Sequence, residues 1–183
     1  GRVSPIMQTT SDIMFTFSKM FQNRWSRHKI KPKKFESVGY TYSSSFPLIK
    51  SKKNYYENKF NKKKEDFYIT MFDESFQENS DKFGFFSKND FCEEVNKLVN
   101  YTFKNKNTTV ITKSQFSKNS AKECCKSLKL ENLIKNGKWL EMISNGSFRN
   151  IILPCEATIL SDIVIGHSVG GTSSLEAALF GKK

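Results

Sequence analysis

The sequence predicts an α/β protein built on a parallel sheet. From Asp66 onward, short apolar runs alternate with longer segments of helical periodicity. Asp162-Ile163-Val164-Ile165 is apolar after its first residue, the signature of a strand buried on both faces. Bulk agrees, because 183 residues with 37% hydrophobic and 14% aromatic content suffice for a core without covalent staples.

Taken in order, Ser11 to His28 reads as a helix with Ile13, Phe17, Met20, Phe21 and Trp25 on one side, ended before Pro32. Phe35 to Tyr42 reads as a short strand. The Lys-rich stretch 50–64 reads as a linker, and Phe67 to Phe72 as the first strand of the sheet. Ser87 to Asn105 is the strongest helix, with a capping-box-like start at Ser87 and Asp90 and with Phe91, Val95, Leu98, Val99 and Phe103 at helical spacing. A strand at Thr108–Thr112, a helix from Ser120 to about Leu133 and a short amphipathic piece at Trp139–Ile143 follow. After them come a strand at Asn150–Leu153 stopped by Pro154, a brief helix at Glu156–Leu160, the Asp162–Ile165 strand and a helix at Ser173–Phe180. The expected organisation is an N-terminal helix and basic connector over 1–34, then a Rossmann-like domain over 35–183, truncated at both ends.

The charge is unevenly placed. Residues 1–64 hold 15 Lys and Arg against three acids, whereas 65–183 hold 15 of each, so the whole net charge of +12 lies in the first third. Tyr55, Tyr56 and Phe60 interleave there with lysines, a texture that suits RNA, an anionic membrane surface or a polyanion. No nucleic-acid motif accompanies it. A solvated basic surface is the preferred reading, with nucleic acid not expected as a partner and peripheral membrane contact through this segment kept open. No apolar run approaches the length of a membrane span, and the expectation is a cytoplasmic protein. Cys92, Cys124, Cys125 and Cys155 have no C-x-x-C spacing, and only His28 and His167 accompany them. Four reduced thiols and no metal site are expected.

Chemistry concentrates in 161–182. A strand ends at Gly166, a loop of small residues holds His167 to Gly171, and a helix opens at Thr172 or Ser173. Gly170 and Gly171 open the backbone to close approach, Thr172, Ser173 and Ser174 add hydroxyls, and first-turn amides favour an anion. The loop is neither a G-x-G-x-x-G fingerprint nor a G-x-x-x-x-G-K-[ST] phosphate loop. Glu176 serves equally as the far half of a capping box with Ser173 or as a contact to a sugar hydroxyl. His167 is placed in a loop hydrogen bond ahead of a ligand contact.

The text Ser161-Asp-Ile-Val-Ile-Gly166, then Gly170-Gly-Thr-Ser-Ser-Leu-Glu-Ala-Ala-Leu-Phe-Gly-Lys182, resembles the donor-binding half of GT-B glycosyltransferases of surface-polysaccharide and capsule biosynthesis. It is also similar to nucleotide-sugar epimerases. The resemblance implies a nucleotide-sugar donor as substrate, no separate cofactor, and a glycan or lipid-linked acceptor. It makes Gly170, Gly171, Thr172, Ser173 and Ser174 diphosphate contacts, Glu176 a donor-hydroxyl contact and Lys113 a neighbour of the donor, with His167 beside them. The catalytic base stays unassigned. Asp73 and Glu74 would share the sheet edge with the loop if the strands run parallel, although a solvated loop start explains them as well. A non-catalytic basic module that binds RNA or another polyanion is the remaining alternative.

Overall fold

In the computed structural model, the described residues are 11–27, 29–73, 88–114, 120–142, 152–166 and 172–183. The chain forms two compact units, 1–46 and 47–183.

In the first unit, strand β1 (Ile13–Thr16) pairs in parallel with β2 (Lys34–Ser37), Ile13 beside Lys34 and Phe15 beside Glu36. Helix α1 (Lys19–Trp25) follows β1, and a 3-10 turn spans Thr41–Ser45. The single helix expected over Ser11–His28 is thus a strand and a shorter helix. The apolar spacing of 13–17 suits a period of two as well as one of 3.6, and pairing with β2 decides between them.

The second unit begins inside α2 (Phe46–Ser51) and continues into α3 (Lys53–Lys59), so the expected linker is helical. Ile49 and Tyr56 are buried while the lysines stay at the surface, and this pair at helical spacing anchors the segment. Next come β3 (Phe67–Asp73), α4 (Lys88–Lys104), β4 (Thr108–Ser114), α5 (Ser120–Cys124), α6 (Leu128–Lys135) and β5 (Trp139–Met142). The chain continues through α7 (Pro154–Ala157), β6 (Ile163–Ile165) and α8 (Thr172–Leu179). Gly137 takes φ +66° just after α6, and the amides of Gly137 and Lys138 bond back to Ile134 and Leu133. That closure turns the chain directly into β5. The helix expected from Ser120 to Leu133 breaks at Cys125–Ser127, where the Ser127 hydroxyl accepts the Leu130 amide and restarts it as α6. Trp139–Met142 is a strand. The strand expected at Asn150–Leu153 falls partly outside the described residues, and Ile152 and Leu153 are not in a strand.

Among the described residues, four strands form one parallel sheet in the order β5-β4-β3-β6. One face carries Ile69, Met71, Val110 and Trp139 under α4 and α6, through Phe91, Val95, Val99, Leu130 and Leu133. The other meets α7, whose Ala157 carbonyl accepts the Thr70 hydroxyl. Parallel α/β architecture is therefore correct. The expectation that Asp162–Ile165 forms the buried middle of the sheet is not met: β3 and β4 hold the centre. β6 stands last in the order, with Ile163 40% exposed, and its Val164 amide donates to the Lys183 carbonyl.

Cys92 on α4 and Cys124 on α5 form a disulfide, Cα atoms 4.7 Å apart, which corrects the expectation of four reduced thiols. Cys125 and Cys155 are free and buried. Cys124, the last residue of α5, reaches α4, while Cys125, the first residue past the helix, enters the core. Among the described residues, no helix is long and apolar enough to cross a membrane.

Candidate functional site

In a parallel sheet, ligand sites form beyond the carboxyl ends of the strands. Met71 pairs with Ile165 and Phe72 with Lys113, so β3, β4 and β6 end at one edge. Asp73 closes β3 at that edge, and Glu74 lies outside the described residues.

Gly166 takes the chain out of β6. A Cβ placed there would collide with the Ser174 hydroxyl and stand 3.3 Å from the Ser174 Cβ and 3.4 Å from the Phe72 ring. The first turn of α8 and the side chain of the neighbouring strand thus close on a position that only glycine fills without displacement. The Ser174 hydroxyl oxygen is itself buried without a hydrogen-bond partner. Strand, glycine and helix follow one another within Ile163 to Leu179, separated by five residues, 167–171, that lie outside the described ones.

The sequence across that passage is Gly166-His167-Ser168-Val169-Gly170. It fits G-x-S-x-G, the pattern of a serine carried on a sharp turn between a strand and a helix. The structural context that this pattern requires, strand before and helix after, is present on both sides. The sequence profile of the family described as platelet-activating factor acetylhydrolase, isoform II matches residues 50–181.

The chain belongs to this acetylhydrolase family. No curated protein matches it.

Membership of an acetylhydrolase family overturns the glycosyltransferase resemblance, and with it glycosyl transfer in polysaccharide biosynthesis, the epimerase and the basic-module alternatives. The family is one of enzymes, and these are hydrolases, not transferases. The nucleotide-sugar and the glycan or lipid-linked acceptor fall as partners for the same reason. The cause of the misreading is physical. Small residues, hydroxyls and free amides at a helix start suit a phosphate and the oxyanion of an acyl-transfer intermediate alike. The signal that discriminates is Ser168 with a glycine two residues to either side.

His167, Gly170 and Gly171, expected as donor contacts, lie outside the described residues, as does Ser168. Thr172, Ser173 and Ser174 form the first turn of α8. Glu176 is 2% exposed and turns into the protein, where its carboxylate accepts the Cys155 amide at 2.9 Å. Ser173 lies inside α8 and Glu176 satisfies the start of α7, so the capping-box spacing joins two helices instead of closing one. Burial, with the Glu176 carboxylate beside it, pushes the Cys155 thiol up and keeps it protonated at neutral pH. Lys113 is buried near the end of β4, with β3 between it and β6. Among these residues, Ser174 in the first turn of α8 meets Gly166, Glu176 bonds to α7, and Lys113 stands two strands from β6.

A second polar group braces the approach to β6. The Glu156 carboxylate on α7 accepts the Tyr56 hydroxyl and the Lys52 ammonium, the latter at 3.0 Å. Lys62 donates to the Leu160 carbonyl at 3.0 Å, and Lys182 to those of Ile159 and Ser161 at 3.2 and 2.8 Å. The Thr70 and Ser161 hydroxyls bond to each other. The turn leading into β6 is therefore pinned from three sides. Among the described residues, no three potential metal ligands come together.

Proposed function

We propose that this protein hydrolyses an acyl ester of a lipid, with Ser168 as the nucleophile. The observation that carries the reading is Gly166-His-Ser-Val-Gly170 set between β6 and α8 in a chain of an acetylhydrolase family. The Ser168 hydroxyl attacks the ester carbonyl and an alcohol leaves, giving an acyl-enzyme; water then releases the acid and restores the serine. The amide of Val169, the residue after the nucleophile, supplies one donor to the oxyanion. The second comes from the loop after β3, whose strand lies beside β6 at the same edge. Gly166 lets α8 approach the end of β6, and Thr172 to Ser174 form the first turn of that helix. In hydrolases of this motif, acid and histidine follow the serine in chain order. His28 and His167 both precede Ser168, and neither receives the role of base. A lipid ester resides in a lipid surface, so the protein works peripherally at one.

Ser168→Ala is expected to lower kcat for p-nitrophenyl acetate or a short-chain phospholipid by about 10⁴-fold or more with the fold retained. A fluorophosphonate should label Ser168 alone, as located by peptide mass spectrometry. Undiminished turnover in a folded Ser168→Ala protein, or labelling elsewhere, rejects the assignment.

A further inference from the structure

Helix α1 buries none of its seven residues. A helix so short is marginal in water and owes its stability to whatever covers its apolar side. Met20 is 73% exposed and Phe21 39%. The Phe17 ring, itself 47% exposed, meets Phe21 edge to face at 5.9 Å and Tyr40 at 5.9 Å, and Tyr40 reaches Tyr42 at 5.7 Å. Phe21, Phe17, Tyr40 and Tyr42 thus form a chain of rings, three of them exposed, and the exposed Met20 adjoins Phe21 on α1. Lys19 opens α1, and Arg24 lies one turn from both Met20 and Phe21.

Charge states what would cover this patch. Residues 1–46 carry eight Lys and Arg against Asp12 and Glu36, a net of +6. Both acids are engaged, Asp12 by Lys33 and Glu36 by Lys34, each at 2.6 Å. Lys19 and Arg24 have no carboxylate partner among the described residues. We infer that the face formed by Phe17, Met20, Phe21 and Tyr42, flanked by Lys19 and Arg24, docks on an anionic lipid bilayer.

A bilayer takes Met and Phe into its acyl boundary, holds Tyr at the interface and attracts Lys and Arg to its headgroups, so every member of the patch is used. A single-stranded nucleic acid would stack on the rings and pair with the cations but leave Met20, the most exposed of the group, in water. A second copy would set +6 against +6. The patch lies before the first residue matched by the family, so it belongs to this chain's own N-terminal unit. The inference rests on the reading of a peripheral lipid enzyme, yet its test reads binding and not hydrolysis, so the two fail separately.

The test is flotation of the whole protein with vesicles of phosphatidylcholine alone or mixed with phosphatidylserine, at low and physiological salt. Binding is expected to the mixed vesicles and to weaken with salt. Lys19→Glu/Arg24→Glu should weaken it by at least about fivefold per charge removed. Met20→Ser/Phe21→Ser should abolish it, while both double variants turn over a soluble ester at the wild-type rate, which reports intact folding. Absence of flotation at low salt overturns the inference, as does equal binding to neutral vesicles that ignores Lys19→Glu/Arg24→Glu. RNA binding or self-association lost in Met20→Ser/Phe21→Ser, without vesicle binding, also overturns it.

Discussion

Gly166 has α8 packed over its Cα, with the Ser174 hydroxyl occupying the space of the missing side chain. Gly166→Ala is expected to cost about 1–3 kcal/mol through overpacking, because the Ser174 hydroxyl must rotate away and its Cβ must give way. Ser174→Ala should recover part of that cost by removing the colliding oxygen. Urea unfolding of the two single variants and the double variant measures the coupling, and strictly additive costs would mean that the two positions do not meet. At this scale the sequence was informative and open to misuse. Ser168 between two glycines is legible, but the hydroxyls at 172–174 and the glycine pair 170–171 speak equally for phosphate. Glu176 is harder still, since its partner Cys155 precedes it by 21 residues and only folding brings α7 to α8.

Among the elements, α5 is too short to stand alone: it has five residues, and the disulfide ties it to α4 across a separation of 32 residues. Closing a loop of that length restricts the unfolded chain, worth about 3–4 kcal/mol by loop entropy. Reduction by dithiothreitol, or Cys92→Ser/Cys124→Ser, is expected to lower the free energy of unfolding by up to that amount, as read from urea curves of the oxidised and reduced protein. An unchanged midpoint would show that α5 is held by packing alone. The pairing was not legible, because it depends on Cα atoms coming within disulfide reach, and spacing along the chain does not report that distance. By contrast α4 is legible in the sequence almost to the residue, since Phe91, Val95 and Val99 present one buried face over 17 residues.

Across the whole molecule, contacts between distant segments make stability depend on pH. Burial first, and then the Glu156 carboxylate, raise the Tyr56 phenol; burial and then Glu176 raise the Cys155 thiol; burial and then Asp66 raise Tyr68. A group whose folded pKa lies above its unfolded one contributes stability that is complete below the unfolded value and lost as pH climbs toward the folded one. The loss should begin near the ordinary thiol value of 9.0 and deepen past the phenol value of 10.0. Lys182 acts in the opposite sense: burial and then Lys62 lower it, so its ionisation penalty is relieved as pH rises toward 10.5. With three of these buried groups against one, stability is expected to fall in alkali, and Tyr56→Phe to flatten the fall while costing about 2 kcal/mol at neutral pH for the lost bond to Glu156. Urea unfolding at neutral pH and above 10.0 checks both, and a Tyr56→Phe protein with the wild-type slope would remove Tyr56 from the account.

By itself the sequence determined the α/β class, the β3-α4-β4 succession and the strand-to-helix passage around Ser168, because each rests on residues close together in the chain. The tertiary structure decided what no local pattern contains. It placed β3 and β4 at the centre with β6 last, although the Ile163–Ile165 run looks just as buried in isolation. It also made helices of the Lys-rich stretch, because burial of Ile49 and of Tyr56, whose hydroxyl meets Glu156 100 residues on, repays the ordering of a segment whose composition alone reads as solvated. Lys59 lies over the Tyr55 and Phe60 rings and Lys62 over Tyr68, so the aromatic and basic interleaving serves contacts within the protein. Local periodicity reports which faces are apolar, whereas strand order and side-chain partners depend on distances between segments that the chain establishes only on folding.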